Sequence, residues 1–133
     1  MRFLVKTPPD PRPTLVVDLV EQVDAATMDA FKNVLVRLGC PHGLLFDVQE
    51  CVILRDSYTS LNADSLEEEG RVPTDRLLAG IATGRPLDAR VLAWLRSMAS
   101  SWNETLPAEA ELAAPFITDI VPAISGASVH QVA

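Results

Sequence analysis

The sequence predicts an α/β protein in which a small mixed β-sheet is flanked by helices. Three apolar runs, each about the length of a strand, occur at residues 15–20, 43–48 and 51–56. Residues 25–38, between the first two runs, have the periodicity of an amphipathic helix, and so do residues 87–103. Strands that alternate with a helix predict a sheet covered by helices.

Composition limits the possible functions. The chain has 133 residues, 48% of them hydrophobic and 22% charged, which is ordinary for a globular domain with its own core. Its formal net charge is −7, and no cluster of Lys or Arg offsets that charge locally. Because a phosphate backbone repels such a surface, nucleic acid is not expected as a partner.

The sequence also carries an expectation about location. No apolar run is long enough to span a bilayer, and the start of the chain lacks the pattern of a signal peptide. We therefore expect a cytoplasmic protein of bacterial type with no membrane association. In that compartment Cys40 and Cys51 are expected to be thiols.

The first half of the chain predicts two hairpins around one helix. Residues 2–6 form a short apolar run, and the loop at residues 7–13 contains four prolines, which exclude both helix and ladder hydrogen bonds. The run at 15–20 follows, so a first hairpin is predicted. The runs at 43–48 and 51–56, joined through Gln49-Glu50, predict a second, antiparallel hairpin. The order is therefore ββαββ.

The helix at residues 25–38 has clear boundaries. Asp24 is a favoured N-cap, and Gly39 suits the left-handed position that ends a helix. Its apolar face is formed by residues at steps of three and four: Met28, Phe31, Leu35 and Leu38. A face of this kind is expected to pack on the sheet.

The second half, residues 57–133, is predicted to be a mainly helical extension that packs on the sheet-rich residues 1–56 and completes a single domain of residues 1–133. The sequence Ser65-Leu-Glu-Glu68 matches a capping box and predicts a short helix. Thr74 is expected to cap another helix over residues 75–82.

The end of the chain gives weaker signals. Pro107 predicts the start of a helix over residues 108–113, and Pro115 predicts its end. Residues 116–124 are compatible with either helix or strand. Residues 127–132 are expected to form a last edge strand.

Together, the segments "TLVVDLV", "FKNVLVRLGCPHGLLFDVQECVILRD" and "VLAWLRSMASSWNE" resemble the PD-(D/E)XK nuclease-like superfamily. The nearest likeness is to the N-terminal nuclease domain of type I restriction subunits, and it covers roughly residues 2–56. The resemblance implies a restriction-endonuclease-like core. In that superfamily two carboxylates hold a divalent cation, and a lysine positions or activates water at the phosphate.

The motif that carries this chemistry is degenerate in the present chain. The resemblance places Asp18 at the acidic position of the motif, but Val20 occupies the lysine position. Asp10 is the acid upstream, and Lys32 is the candidate for a lysine that has migrated to the helix. Asp18, Asp10 and Lys32 are therefore interpreted as vestigial, and no catalytic residue is assigned. The alternative is a divalent-metal-dependent nuclease or phosphodiesterase that uses all three.

The non-catalytic interpretation of Asp18 is an ion pair with Arg2, Lys6 or Lys32, or hydrogen bonds from backbone amides. Zinc binding by Cys40, His42 and Cys51 is disfavoured, because structural zinc usually takes four ligands in a paired spacing. No nucleophile elbow or P-loop is present. No metal or other cofactor is predicted.

The remaining hypothesis concerns protein contacts. Four large apolar residues are the interface candidates: Trp94, Trp102, Phe116 and Ile120. Their alternative role is core packing. The sequence thus favours a non-catalytic interaction or scaffold protein that binds a protein partner or itself as a homodimer, with residues 127–132 available for edge-strand pairing.

Overall fold

The computed structural model describes residues 1–132. Within that range the strands are β1 (Arg2–Lys6), β2 (Leu15–Leu19), β3 (His42–Phe46), β4 (Glu50–Asp56), β5 (Leu66–Pro73) and β6 (Ser128–Val132). The helices are α1 (Ala25–Leu38), α2 (Thr74–Leu77), α3 (Leu87–Thr105), α4 (Ala110–Ile117) and α5 (Ile120–Ile124). A short 3-10 turn at Ala63–Ser65 precedes β5. The protein is therefore mixed α/β, as predicted.

The six strands form one mixed sheet in the order β5-β4-β3-β2-β1-β6. Neighbouring strands are antiparallel except β2 and β3, which are parallel and are connected through α1. Both predicted hairpins are confirmed. A parallel pair needs a crossover connection, and a helix is the usual one. The helix after β2 therefore decides where the second hairpin enters the sheet.

Each face of the sheet has its own apolar core. On one face α2 to α5 enclose Trp94, whose ring meets Phe46 and Phe116 edge to face at centroid distances of 5.9 and 5.7 Å. On the other face α1 places Phe31 and Leu35 against β2, β3 and β4. The first core contains most of the aromatic side chains, which explains how a chain with few aromatics fills it.

Helix α1 begins and ends as predicted. Asp24 accepts a hydrogen bond from the backbone N–H of Thr27 at 2.8 Å, and the Thr27 hydroxyl accepts one from the N–H of Asp24 at 2.8 Å. This reciprocal capping satisfies two of the orphan donors at the start of a helix. Gly39 ends the helix at φ 64°, a left-handed conformation that glycine adopts without a steric penalty.

The capping box at Ser65–Glu68 predicted a helix, and that prediction is wrong. The segment enters β5, which pairs antiparallel with β4 from Asp56↔Leu66 to Glu50↔Pro73. The local gain of a capping box is outweighed here by a ladder of backbone hydrogen bonds and by burial of Leu66 and Val72. Residues 57–133 therefore contribute both outer strands of the sheet and are not simply a helical extension.

Other helix boundaries also differ from the predictions. Helix α2 is only Thr74–Leu77, and the Thr74 hydroxyl donates to the carbonyl of Asp47 at 2.9 Å instead of capping. Pro115 lies inside α4 rather than at its end, and its ring lies over Gly70 of β5. That packing offsets the backbone hydrogen bond that proline cannot make. Residues 120–124 are helical, and the predicted edge strand near the C-terminus is present as β6.

Over the part of the chain described here, every helix is too short or too polar to cross a bilayer.

Candidate functional site

Asp18 is held by Arg2. The two residues are directly opposite each other in the β1–β2 ladder. Arg2 Nε donates to Asp18 Oδ1 at 2.7 Å and Nη2 donates to Oδ2 at 3.0 Å, and the side chains are only 28% and 14% exposed. The hydrogen bonds to Asp18 raise the pKa of Arg2. Both carboxylate oxygens are thus engaged by a guanidinium in a forked geometry.

Lys32 lies away from Asp18. It is close enough to Glu68 of β5 to help lower the pKa of that carboxyl, although the hydrogen bonds from Arg71 are the main cause. Strand β5 is three positions from β2 in the sheet order. At about 4.8 Å per strand, the two strands are about 14 Å apart. Within residues 1–132, Asp18 forms its ion pair with Arg2 and none with Lys32, so Lys32 does not contact the carboxylate as the missing lysine would.

Asp10 lies at the opposite end of the first hairpin. It is in the proline-rich loop after β1, where it accepts a hydrogen bond from the backbone N–H of Arg12 at 2.9 Å, and that bond lowers the pKa of Asp10. Asp18 instead faces Arg2 at the open end of the hairpin. Asp10, Asp18 and Lys32 thus occupy three separate places. Across residues 1–132, no three His, Cys, Asp or Glu side chains converge as metal ligands.

The residues considered for zinc are also separated. Cys40 and Cys51 are buried thiols, and they lie in the cores on opposite faces of the sheet. Burial raises the pKa of Cys40 to about 11 and raises that of Cys51 as well. Neither thiol is therefore suited to act as a nucleophile at neutral pH.

Asp47 is a buried acid that the sequence analysis missed. It is 5% exposed and accepts hydrogen bonds from the backbone N–H groups of Val23, Gln49 and Glu50 at 2.9, 2.7 and 2.8 Å. Burial by itself would raise the pKa of Asp47, but these three donors lower it overall. Asp47 fixes the Gln49–Glu50 turn and the entry to α1. The available signal was an Asp two residues before Gln49, because Asp side chains in turns often accept hydrogen bonds from backbone N–H groups two residues on.

One open cavity of about 440 Å³ lies at the end of the sheet occupied by the proline-rich loop, and His42, Tyr58 and Asp119 are among its lining residues. Burial lowers the pKa of His42, which favours the neutral imidazole. Thr14 also lines the cavity, but its hydroxyl contacts the carbonyl of Ala123 at 2.6 Å. The hydroxyl residues Tyr58 and Thr118 also line the cavity. Within residues 1–132, however, His42 Nδ1 is buried without a hydrogen-bond partner, so no hydroxyl is hydrogen-bonded to that atom as a base would require.

Three of the four interface candidates are core residues. Trp94, Phe116 and Ile120 are 0% exposed, and Trp102 is half-buried against the same core. This corrects the assignment of Trp94, Phe116 and Ile120 to a contact surface. With aromatics at 5% of the chain, the large side chains are needed to fill the space between the sheet and α2 to α5.

Strand β6 forms one edge of the sheet. It pairs with β1 from Lys6↔Ser128 to Arg2↔Val132, and in the described part of the chain no strand lies on its other side. Its five residues, SVHQV, carry no Asp, Glu, Lys or Arg. His130 is exposed, and its Nε2 lies 2.9 Å from the Ser128 hydroxyl. Backbone groups along the outer side of β6 are therefore free to pair with another strand.

Comparisons of the chain with protein-family models, curated proteins and solved structures found no match.

Proposed function

We propose that this protein is a non-catalytic interaction or scaffold domain that associates with itself through β6. The observation that carries the proposal is the open, uncharged outer edge of β6. An unpaired strand edge is a template for another strand, and proteins that must remain monomeric usually protect it.

The other edge of the sheet shows such protection. Strand β5 carries the acidic run Glu67–Glu69 and Arg71, and it ends at Pro73. Its pairing with β4 is interrupted by a register shift at Ile53/Leu54. Charges, a bulge and a terminal proline all oppose the addition of a strand. Because β6 has none of these features, the contrast favours β6 as the contact surface.

The state of Asp18 supports a non-catalytic role. Its carboxylate is occupied by Arg2, and the other residues of the nuclease alternative, Asp10 and Lys32, lie elsewhere. A cation at Asp18 would have to displace a guanidinium with two good hydrogen bonds. Among residues 1–132, no set of ligands for metal-dependent phosphodiester chemistry is assembled.

We also propose that the fold is a degenerate relative of the PD-(D/E)XK core. The order β1-β2-α1-β3-β4, in which α1 connects two parallel strands, is consistent with the ββαββ arrangement that the resemblance implied. The acid of the motif is present as Asp18, and the lysine position is Val20.

Sedimentation equilibrium over a wide concentration range tests the self-association. We expect the mean mass to rise from that of one chain toward that of two. His130→Asp should shift the equilibrium toward monomer, because it places a charge on the edge. Glu67→Gln, on the protected β5 edge, is the matched control and should leave the equilibrium unchanged. A mass of one chain at every concentration would contradict the proposal.

Calorimetric titration with Mg²⁺ or Mn²⁺ tests the alternative. Flat heats are expected for the wild-type protein. Cation binding that disappears in Asp18→Asn would instead support the metal-dependent nuclease or phosphodiesterase.

A further inference from the structure

We infer that two copies of the chain pair through antiparallel β6 strands about a two-fold axis at His130, which continues the sheet from one copy into the other. This inference rests on the proposed self-association and specifies its partner and register. The backbone groups of β6 that point away from β1 determine this register.

Backbone direction alternates along each strand of an antiparallel ladder. Leu19 N–H donates to the carbonyl of Met1, and Val20 N–H donates to the carbonyl of Phe46, both at 2.9 Å. Odd residues of β2 therefore face β1, and even residues face β3. The carbonyl of Met1 points to β2, so the odd residues of β1 direct their backbone groups at β2. The even residues of β1 therefore direct theirs at β6. The contact from the Ser128 hydroxyl to the carbonyl of Lys6, at 3.2 Å, agrees with this direction.

The same alternation sets the outer edge of β6. His130 is opposite Leu4, an even residue, so the backbone groups of His130 are directed at β1. The N–H and C=O groups of Val129 and Gln131 are then directed outward. These two residues flank His130 symmetrically. In an antiparallel pair of β6 strands, the outward N–H and C=O groups of one chain can therefore bond the outward C=O and N–H groups of the second chain.

Only one register pairs all the outward backbone groups of β6. When His130 lies opposite its own copy, Val129 faces Gln131 of the second copy and all outward groups of both residues are paired. An axis at Val129 or Gln131 would overlap only part of β6. Because two-fold contacts use the same patch on both chains, a single self-complementary strand is sufficient. The two copies of His130 then form a non-hydrogen-bonded pair across the axis, with their Cα atoms about 4.5 Å apart.

The charge distribution permits a second copy of this acidic chain to approach. Strand β6 has no formally charged residue, and the neighbouring Arg2 is neutralised by Asp18. The acidic edge β5 is five strands from β6 in the sheet order. At about 4.8 Å per strand that separation is about 24 Å, compared with a Debye length of about 8 Å at physiological salt. The acidic run Glu67–Glu69 of β5 is therefore largely screened from a contact at β6.

Cysteine cross-linking tests the register. In His130→Cys, oxidised glutathione should convert the two facing thiols into one disulfide, with two reduced glutathione molecules as the other product. The expected Cα separation lies within the range of about 4.4–6.8 Å that disulfides tolerate. Native Cys40 and Cys51 are buried and should not compete.

Gln131→Cys is the matched control. In the inferred register, residue 131 of one chain and residue 131 of the other are displaced by two residues along the strand. Their Cα atoms are then about 9 Å apart, which is too far for a disulfide. Cross-linked dimer should therefore form at least about tenfold faster in His130→Cys than in Gln131→Cys. Circular dichroism verifies that both variants, which change exposed side chains, retain the fold.

The outcomes separate the inference from the proposed function. Equal or faster cross-linking of Gln131→Cys would overturn the register while self-association stands. No cross-link in either variant of a chain that sediments as a dimer would place the interface elsewhere and overturn the inference alone. A wild-type chain that sediments as a monomer, with neither variant cross-linked, would overturn both. An extended peptide from another protein would then remain as the occupant of β6.

Discussion

The two faces of the sheet are covered to different extents. One face lies under α2 to α5 and is apolar throughout its core, with Trp94 at the centre. The other is covered by α1 over β2, β3 and β4. Beyond α1, toward β1 and β6, this face carries the Arg2–Asp18 pair and the exposed His130.

The two faces therefore place different demands on the residues that form them. A fully covered face must be filled, so its residue types follow packing. The uncovered part of the other face keeps polar side chains and adjoins the free edge of β6. Substitutions in the three regions should therefore have graded effects.

The largest effect is expected under the covered face. Trp94→Ala removes a side chain that is 0% exposed and stacks edge to face with Phe46 and Phe116. We expect the free energy of unfolding to fall by about 3–5 kcal/mol, as measured by urea denaturation. Trp102→Ala, at a half-buried position, should cost clearly less. If the two variants lost the same free energy of unfolding, burial under the helices would not explain the difference between Trp94 and Trp102.

A smaller effect is expected where α1 touches the sheet. A Cβ at Gly43 would lie 2.7 Å from Leu35 Cδ1 and 2.8 Å from Phe31 Cε2, so Gly43→Ala forces these packed side chains of α1 to shift. Overpacking of this kind costs about 1–3 kcal/mol. Gly70→Ala is the matched control in β5, because its Cβ would meet Pro115 Cγ at an ordinary 3.5 Å. A denaturation midpoint unchanged by Gly43→Ala would mean that α1 is loosely packed.

The smallest effect is expected in the uncovered region. Arg2→Met keeps most of the aliphatic stem but removes both hydrogen bonds to Asp18. A loss of about 1–2 kcal/mol is expected, since the pair is only partly buried. Adding Asp18→Asn to Arg2→Met should recover part of that loss by removing the unpaired charge. A thermal melt in which the double variant is less stable than Arg2→Met would exclude this explanation.

Local sequence signals predicted those elements whose formation depends on local chemistry. Helix α1 has Asp24 and Gly39 at its ends, and both function as the sequence indicated. The proline-rich loop and the apolar runs that flank it predicted the first hairpin correctly. Asp18 was assigned to three possible cations or to backbone amides, and only the ladder register, which places Arg2 directly opposite, selects among them.

The errors arose where distant contacts override local preference. The capping box at Ser65–Glu68 became part of β5 because β4 offered a ladder at that edge. Pro115 lies inside α4, where its ring packs over Gly70. Trp94 and Phe116 carry no local sign of whether they face the core or a partner. Their burial followed from the position of α3 and α4 over the sheet.

The sequence by itself determined the α/β class, the order ββαββ and the absence of a lysine at Val20, because periodicity, capping and residue identity are local properties. The tertiary structure decided that Arg2 occupies Asp18, that residues 57–133 supply both edges of the sheet, and that β6 is the open edge. These features depend on which strands become neighbours. Which strands pair depends on how much apolar surface the whole sheet buries. That free-energy balance involves residues far apart in the sequence and cannot be read from one short segment.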